Sequence, residues 1–132
     1  MTDRRNVINA AEKKLNILVL GGTGFLGSHT VNAAIAKGHT VTLFNRGQTN
    51  PDLFPQLKKI KGDRNTDDIK QIAHQKWDAV IDTSVYYPRS IDRIMEVLEK
   101  KSTHYLFVST ISVYADWAKP GMDETAPFGV LA

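Results

Sequence analysis

The stretch from Asn16 to Arg46, NILVLGGTGFLGSHTVNAAIAKGHTVTLFNR, leaves few folds open to this chain. An apolar run, Ile17-Leu18-Val19-Leu20, stops at a glycine cluster, and a helical pattern begins before that cluster ends. Gly22, Gly24 and Gly27 satisfy G-x-G-x-x-G, while Gly21, Gly24 and Gly27 satisfy G-x-x-G-x-x-G. Either spacing serves one physical end: a tight turn, close approach of backbone N–H groups to a pyrophosphate, and a helix packed hard on its strand. The pattern carries meaning because it lies between a strand signal and a helix signal. The competing reading, a glycine-rich turn that binds nothing, needs a separate structural reason for each of three glycines.

Gly27, Val31, Ala34, Ile35 and Gly38 recur at i, i+4, i+7, i+8 and i+11, so one helix face is entirely small or apolar. Gly38, after Lys37, makes a C-terminal stop. A second apolar run, Val41 to Phe44, closes a β-α-β unit of about thirty residues.

With 132 residues, 42% of them hydrophobic and 23% charged, the chain suits one domain with a real core and is not disordered as a whole. It contains no cysteine, which excludes a disulfide framework and any zinc–cysteine site and suits a cytoplasmic protein. The net charge of +3 is scattered, and the densest basic cluster, Lys58, Lys59 and Lys61, reads as a solvated face. Leu15 to Ala36 carries no charge, yet its four glycines with Asn16, His29 and Asn32 argue against a membrane span. Residues 1–14 read as a polar leader, with a short helix over residues 9–14, and residues 15–132 as the domain.

After a loop from Gly47 to Pro55, Leu57 to Lys61 is a short strand. Thr66 is placed as a helix N-cap, with Asp67 and Asp68 in a first turn that favours acids and Ile69, Ile72 and Ala73 on the buried side. Ala79-Val80-Ile81 has the composition of a strand covered on both faces. Pro88 opens an amphipathic helix with Ile91, Ile94, Met95 and Leu98 at i, i+3, i+4 and i+7, and Tyr105 to Val108 is the fifth strand. Five strands alternating with helical connections predict an α/β fold with a doubly wound parallel sheet. Gly21, Asn45, Gly62-Asp63, Thr83-Ser84 and Ser109-Thr110 each follow one of these runs directly. In a parallel sheet all those positions share the carboxyl edge, where open α/β folds bind ligands.

Gly21-Gly-Thr-Gly-Phe-Leu-Gly27, Gly62-Asp63-Arg64 and Phe107-Val-Ser-Thr-Ile-Ser-Val-Tyr114 together resemble the extended short-chain dehydrogenase/reductases, the NAD(P)-dependent epimerase/dehydratase group. Asn45-Arg-Gly47 and Val113-Tyr-Ala-Asp116 look most like a bacterial branch related to chloroplast stem-loop RNA-binding proteins. The resemblance spans about residues 15 to 128 and implies a Rossmann sheet in the order 3-2-1-4-5. It further implies that the chain is the N-terminal part of a longer protein, stopping before later strands and a substrate domain. By the same resemblance Gly21, Gly24 and Gly27 lie at the pyrophosphate with Phe25 and Leu26 supplying backbone, Asp63 meets the adenine, Thr83 and Ser84 line the nicotinamide ribose, and Gly22, Thr23 and Arg64 are further cofactor-binding candidates. Asp63 suits a turn less well than the adenine role, while the two hydroxyls suit backbone capping nearly as well. Thr110, four residues before Tyr114, matches the family's catalytic Ser/Thr, with Ser109 and Ser112 as weaker hydroxyl neighbours.

One departure matters. Family catalysis uses a Tyr-x-x-x-Lys pair, in which the lysine's charge lowers the tyrosine pKa for proton exchange with the substrate. Tyr86, Tyr87, Tyr105 and Tyr114 are followed four positions later by Ser90, Ile91, Ser109 and Ala118, so the pair is absent from this sequence and the chain alone is expected to be inactive. Cofactor choice is read from the residues themselves. NAD-selective domains carry an acid about 20 residues beyond the glycines. Here Asn45 stands 18 residues after Gly27 and Arg46 follows, with no Asp or Glu between Glu12 and Asp52. An arginine there pairs with a 2′-phosphate, which predicts NADP over NAD. The expected partners are therefore a dinucleotide and, in the full-length protein, a small-molecule substrate. RNA binding by a non-catalytic relative is the rival. No membrane is expected. The uncharged fifth strand, Tyr105 to Val108, is expected to be an open edge that self-associates unless residues 117–132 fold back over it.

Overall fold

The computed structural model describes residues 13–116 and 119–130. Five parallel strands form one sheet in the order β3-β2-β1-β4-β5, as expected: β1 (Asn16–Leu20), β2 (Thr40–Asn45), β3 (Lys58–Lys61), β4 (Ala79–Asp82) and β5 (Tyr105–Phe107). Strand β1 is central, with Leu18 in register with Thr42 on one side and Val80 on the other. The leader reading lies outside the described residues up to residue 12, and Lys13 and Lys14 are in no regular element.

The alternation of β1 divides the core in two. Leu18 and Leu20 face one side, where they pack with Phe44, Ile69, Ile72, Trp77, Val80, Ile94 and Leu98. Ile17 and Val19 face the other, with Val31, Ala34, Val41, Leu43 and Phe54. Both faces are therefore covered, which is why β1 and β2 read as continuous apolar runs. Each aliphatic side chain so buried contributes about 1.5–3 kcal/mol.

Helix α1 (Phe25–Ala36) buries Gly27, Val31 and Ala34, the small face expected of it. It ends at Gly38 (φ +80°), where the Gly38 N–H donates to Ile35 O at 2.9 Å and the His39 N–H to Ala34 O at 3.1 Å. This pair of bonds is a Schellman stop, and it demands the left-handed backbone that glycine adopts without strain. Thr66 caps the following helical segment, accepting from the Asp68 N–H at 3.2 Å, but residues Asp67–His74 wind as a 3-10 helix. Ile69 and Ile72 are buried there as predicted, and Ala73 is half-buried.

Helix α2 (Pro88–Leu98) corrects the sequence reading. Its buried residues are Ser90, Ile94 and Leu98, whereas Ile91 is only half-buried and Met95 is exposed. Polar anchors set this rotation. The Ser90 hydroxyl donates to Asn65 Oδ1 at 3.2 Å, and Arg93 bonds Asn65 O at 3.2 Å and Asp67 at 2.7 Å.

Strand β5 pairs only with β4 among the described residues, leaving Leu106 45% and Phe107 37% exposed. The described part of the tail does not cover it. Residues 127–129 instead run against 113–115, through Ala115 N–H to Pro127 O (2.9 Å) and Gly129 N–H to Val113 O (2.8 Å). The Tyr114 and Phe128 rings stack there at 5.8 Å. No described helix is long and apolar enough to cross a membrane.

Candidate functional site: the carboxyl edge of the sheet

The turn after β1 is built by four glycines with different reasons for being glycine. Gly21 (φ +102°) and Gly22 (φ +88°) hold left-handed backbone, and added Cβ atoms would strike Thr83 Oγ1 at 2.7 Å and Leu43 Cδ2 at 2.8 Å. A Cβ on Gly27 would lie 2.7 Å from the Gly22 backbone, so this glycine lets helix and turn touch. Gly24 differs. Its φ is −82° and a Cβ there would meet nothing within 4 Å. No side chain caps the start of α1, so its first N–H groups keep their capacity to bond an anion.

These residues open onto a cavity of about 540 Å³ at the carboxyl edge. Gly21, Thr23, Gly24, Phe25 and Leu26 line it from the turn, and Asn45 and Arg46 from the end of β2. Asp63 and Arg64 line it from β3, Thr83 and Ser84 from β4. The cavity thus gathers eleven of the predicted residues. Gly22 and Gly27 lie behind its wall rather than on it, and exposed Ser109 and Thr110 do not line it. Thr110 caps a short 3-10 turn, accepting from the Ser112 N–H at 3.2 Å and donating to Ser112 Oγ at 3.3 Å.

Hydrogen bonding separates braces from free groups. Asn45 is a brace: its amide donates to Gly21 O at 3.1 Å and its Oδ1 accepts from the Gly47 N–H at 2.9 Å. Arg46 is exposed and has no hydrogen bond or ion pair among the described residues. Asp63 Oδ1 accepts from the Asn65 N–H at 2.8 Å, within its own turn. Thr83 and Ser84 both donate their hydroxyls to Leu20 O, at 3.2 and 3.4 Å, so in this conformation they cap backbone.

Asp82, at the end of β4, was not foreseen. It is fully buried and accepts from Arg64 Nη1 and Nη2 (both 3.0 Å), the Tyr105 hydroxyl (2.8 Å) and the Ser84 N–H (3.1 Å). Arg64 Nη2 also donates to Ser84 Oγ at 2.6 Å. A buried carboxylate is tolerated when several donors surround it, and the two-pronged arginine bond is the strongest kind available. Burial, and secondarily the bond to Asp82, pushes the Tyr105 phenol well above the usual tyrosine range. The signal available in the sequence was an apolar run closed by an acid at the ligand edge. Exposed Tyr86 and Tyr87 also line the cavity mouth, with the Arg89 guanidinium 4.9 Å over the Tyr87 ring.

A family model described as the NAD dependent epimerase/dehydratase family matches residues 17–131. The chain belongs to that family. It is 29% identical to a UDP-glucose 4-epimerase of Neisseria meningitidis, over 86% of this chain and 42% of the relative. It is 30% identical to the chloroplast stem-loop binding protein of 41 kDa b of Arabidopsis thaliana, over 80% of this chain and 31% of that one. Among solved structures, the Thermus thermophilus UDP-glucose 4-epimerase in complex with NAD shares the fold with a TM-score of 0.73 at 17% identity, covering 86% of this chain and 44% of that one. The chain therefore spans less than half the length of these relatives.

Proposed function

We propose that the chain is the dinucleotide-binding portion of an NAD(P)-dependent epimerase/dehydratase or reductase, with NADP preferred, acting on the hydroxyl or carbonyl of a nucleotide-sugar-like substrate. One observation supports this reading above the others. Gly21, Gly22 and Gly27 are kept free of a side chain by neighbours inside the protein, whereas Gly24, the N-cap of α1, faces open space where a ligand can press against the uncapped helix start. The epimerase relatives support the substrate class, and the NAD in a neighbour's structure supports the cofactor class.

In this reading the α1 N-terminus and the turn hold the pyrophosphate, Asp63 accepts from the adenine, and Arg46 pairs with the 2′-phosphate. When bound, the nicotinamide supplies hydride transfer. Thr110 orients the substrate oxygen from beyond β5, but with no Tyr-x-x-x-Lys in the sequence this chain alone is expected to show no turnover.

Fluorescence titration with NADPH and NADH tests the preference. The expected result is tighter NADPH binding, with the advantage largely lost in Arg46→Ala. Equal or tighter NADH binding by the wild type contradicts it. The Arabidopsis relative's name supports a second reading, stem-loop RNA binding. Steeply salt-dependent binding of structured RNA, with no affinity for either dinucleotide, would select that one.

A further inference from the structure

The buried carboxylate of Asp82 has no part in the proposed chemistry, yet it joins three strand ends. Through Arg64 it reaches the turn after β3, through Tyr105 it reaches β5, and through Ser84 it meets the Leu20 carbonyl below the glycine turn. The turn at 62–65 carries Asp63, whose Oδ1 is used internally and whose Oδ2 has no partner among the described residues. Other bonds tie that turn to β2 and to both helical segments: Gly62 N–H to Asn45 O, Asp63 N–H to Asp68 Oδ2, and Ser90 and Arg93 to Asn65. Arg64 supplies its hydrogen bonds to β4, and its side chain is only 13% exposed.

Adenosine belongs on this side of the glycine turn, because the end of β2 is where such domains meet the adenosine ribose. An adenine presents an exocyclic amine, and an unpaired carboxylate oxygen is its natural acceptor. A loose arginine beside that acceptor would pair with it or sweep the cavity. A fork locked on Asp82 does neither.

We infer that Asp82 is a positioning residue of the cavity: its buried carboxylate, acting through Arg64, holds the 62–65 turn so that Asp63 can accept from the amine of a bound adenine. This rests on the dinucleotide reading above. It also explains why Arg46, rather than Arg64, is the exposed cation at this end of the cavity.

The test is calorimetric binding of two probes by the 132-residue chain, ADP carrying the adenine and nicotinamide mononucleotide carrying the other end. Asp82→Asn keeps the shape and removes the charge. ADP binding is expected to weaken about tenfold, the loss of one well-placed hydrogen bond, while mononucleotide binding stays within about twofold. Uniform loss of both probes would make Asp82 merely structural and overturn the inference, as would no loss of either. A wild-type chain that binds neither probe would overturn the dinucleotide reading itself, a separate failure. Should Asp82→Asn not fold by circular dichroism, Arg64→Lys, whose single ammonium cannot span both oxygens, must give the same split.

Discussion

The β1–α1–β2 unit and the segment from β5 to Tyr114 both present a turn at the carboxyl edge of one sheet, yet they are built differently. Ile17 to Leu20 and Val41 to Phe44 are all buried, with strands beside them and side chains on both faces. In β5, Leu106 and Phe107 are exposed, and so is each residue from Ser109 to Val113. The glycine turn therefore draws its geometry from a closed core, whereas Thr110 stands beyond a strand supported on one side. The geometry of the glycine turn is supported within this chain. The geometry around Thr110 is not.

The largest expected effect comes from the closed side. In Gly27→Ala the new methyl meets backbone rather than a yielding side chain, so a loss of about 1–3 kcal/mol is expected in urea denaturation. Gly24→Ala should cost less than about 1 kcal/mol, since its methyl enters open space and only the N-cap preference of α1 is lost, while dinucleotide binding falls sharply. Equal destabilisation by both substitutions would break the distinction drawn between these glycines.

A smaller effect is expected where the two regions meet. Tyr105→Phe removes one donor to Asp82 and should cost about 1 kcal/mol at neutral pH. Because the phenol's pKa is raised on folding, its contribution is complete below the ordinary tyrosine range near 10 and is lost as pH rises above it, where the unfolded chain ionises first. Alkaline melting curves of wild type and variant should therefore converge. Divergence with rising pH would contradict the assignment.

The smallest effect on stability is expected at the open side. We propose that the uncharged β5 edge drives self-association, and Leu106→Lys should leave folding within about 0.5 kcal/mol while shifting light scattering toward monomer. A wild-type chain that is already monomeric at micromolar concentration removes that proposal.

What could be read from the letters followed physical range. The five strands, the Gly38 stop and the Thr66 cap depend on neighbours a few residues away or on simple periodicity, and each stands in the structure, whereas the strand order was implied by the family resemblance. The α2 face was misjudged at Met95 because Ser90 and Arg93, polar residues invisible to an apolar period, fix the rotation. The Asp82–Arg64 pair, 18 residues apart in sequence, was illegible for a related reason: only the fold brings β4 beside the turn after β3. Asn45 and Arg46 both line the cavity, but their division into brace and exposed cation was not legible in the sequence.

The most direct test of the proposed dinucleotide site is an amide map of the wild-type chain by ¹⁵N–¹H NMR during NADPH titration. The largest shifts are expected on Gly24, Phe25 and Leu26, at the uncapped start of α1, with a second group at Arg46 and Gly47. Saturable NADPH binding that leaves Gly24 to Leu26 unmoved would contradict it.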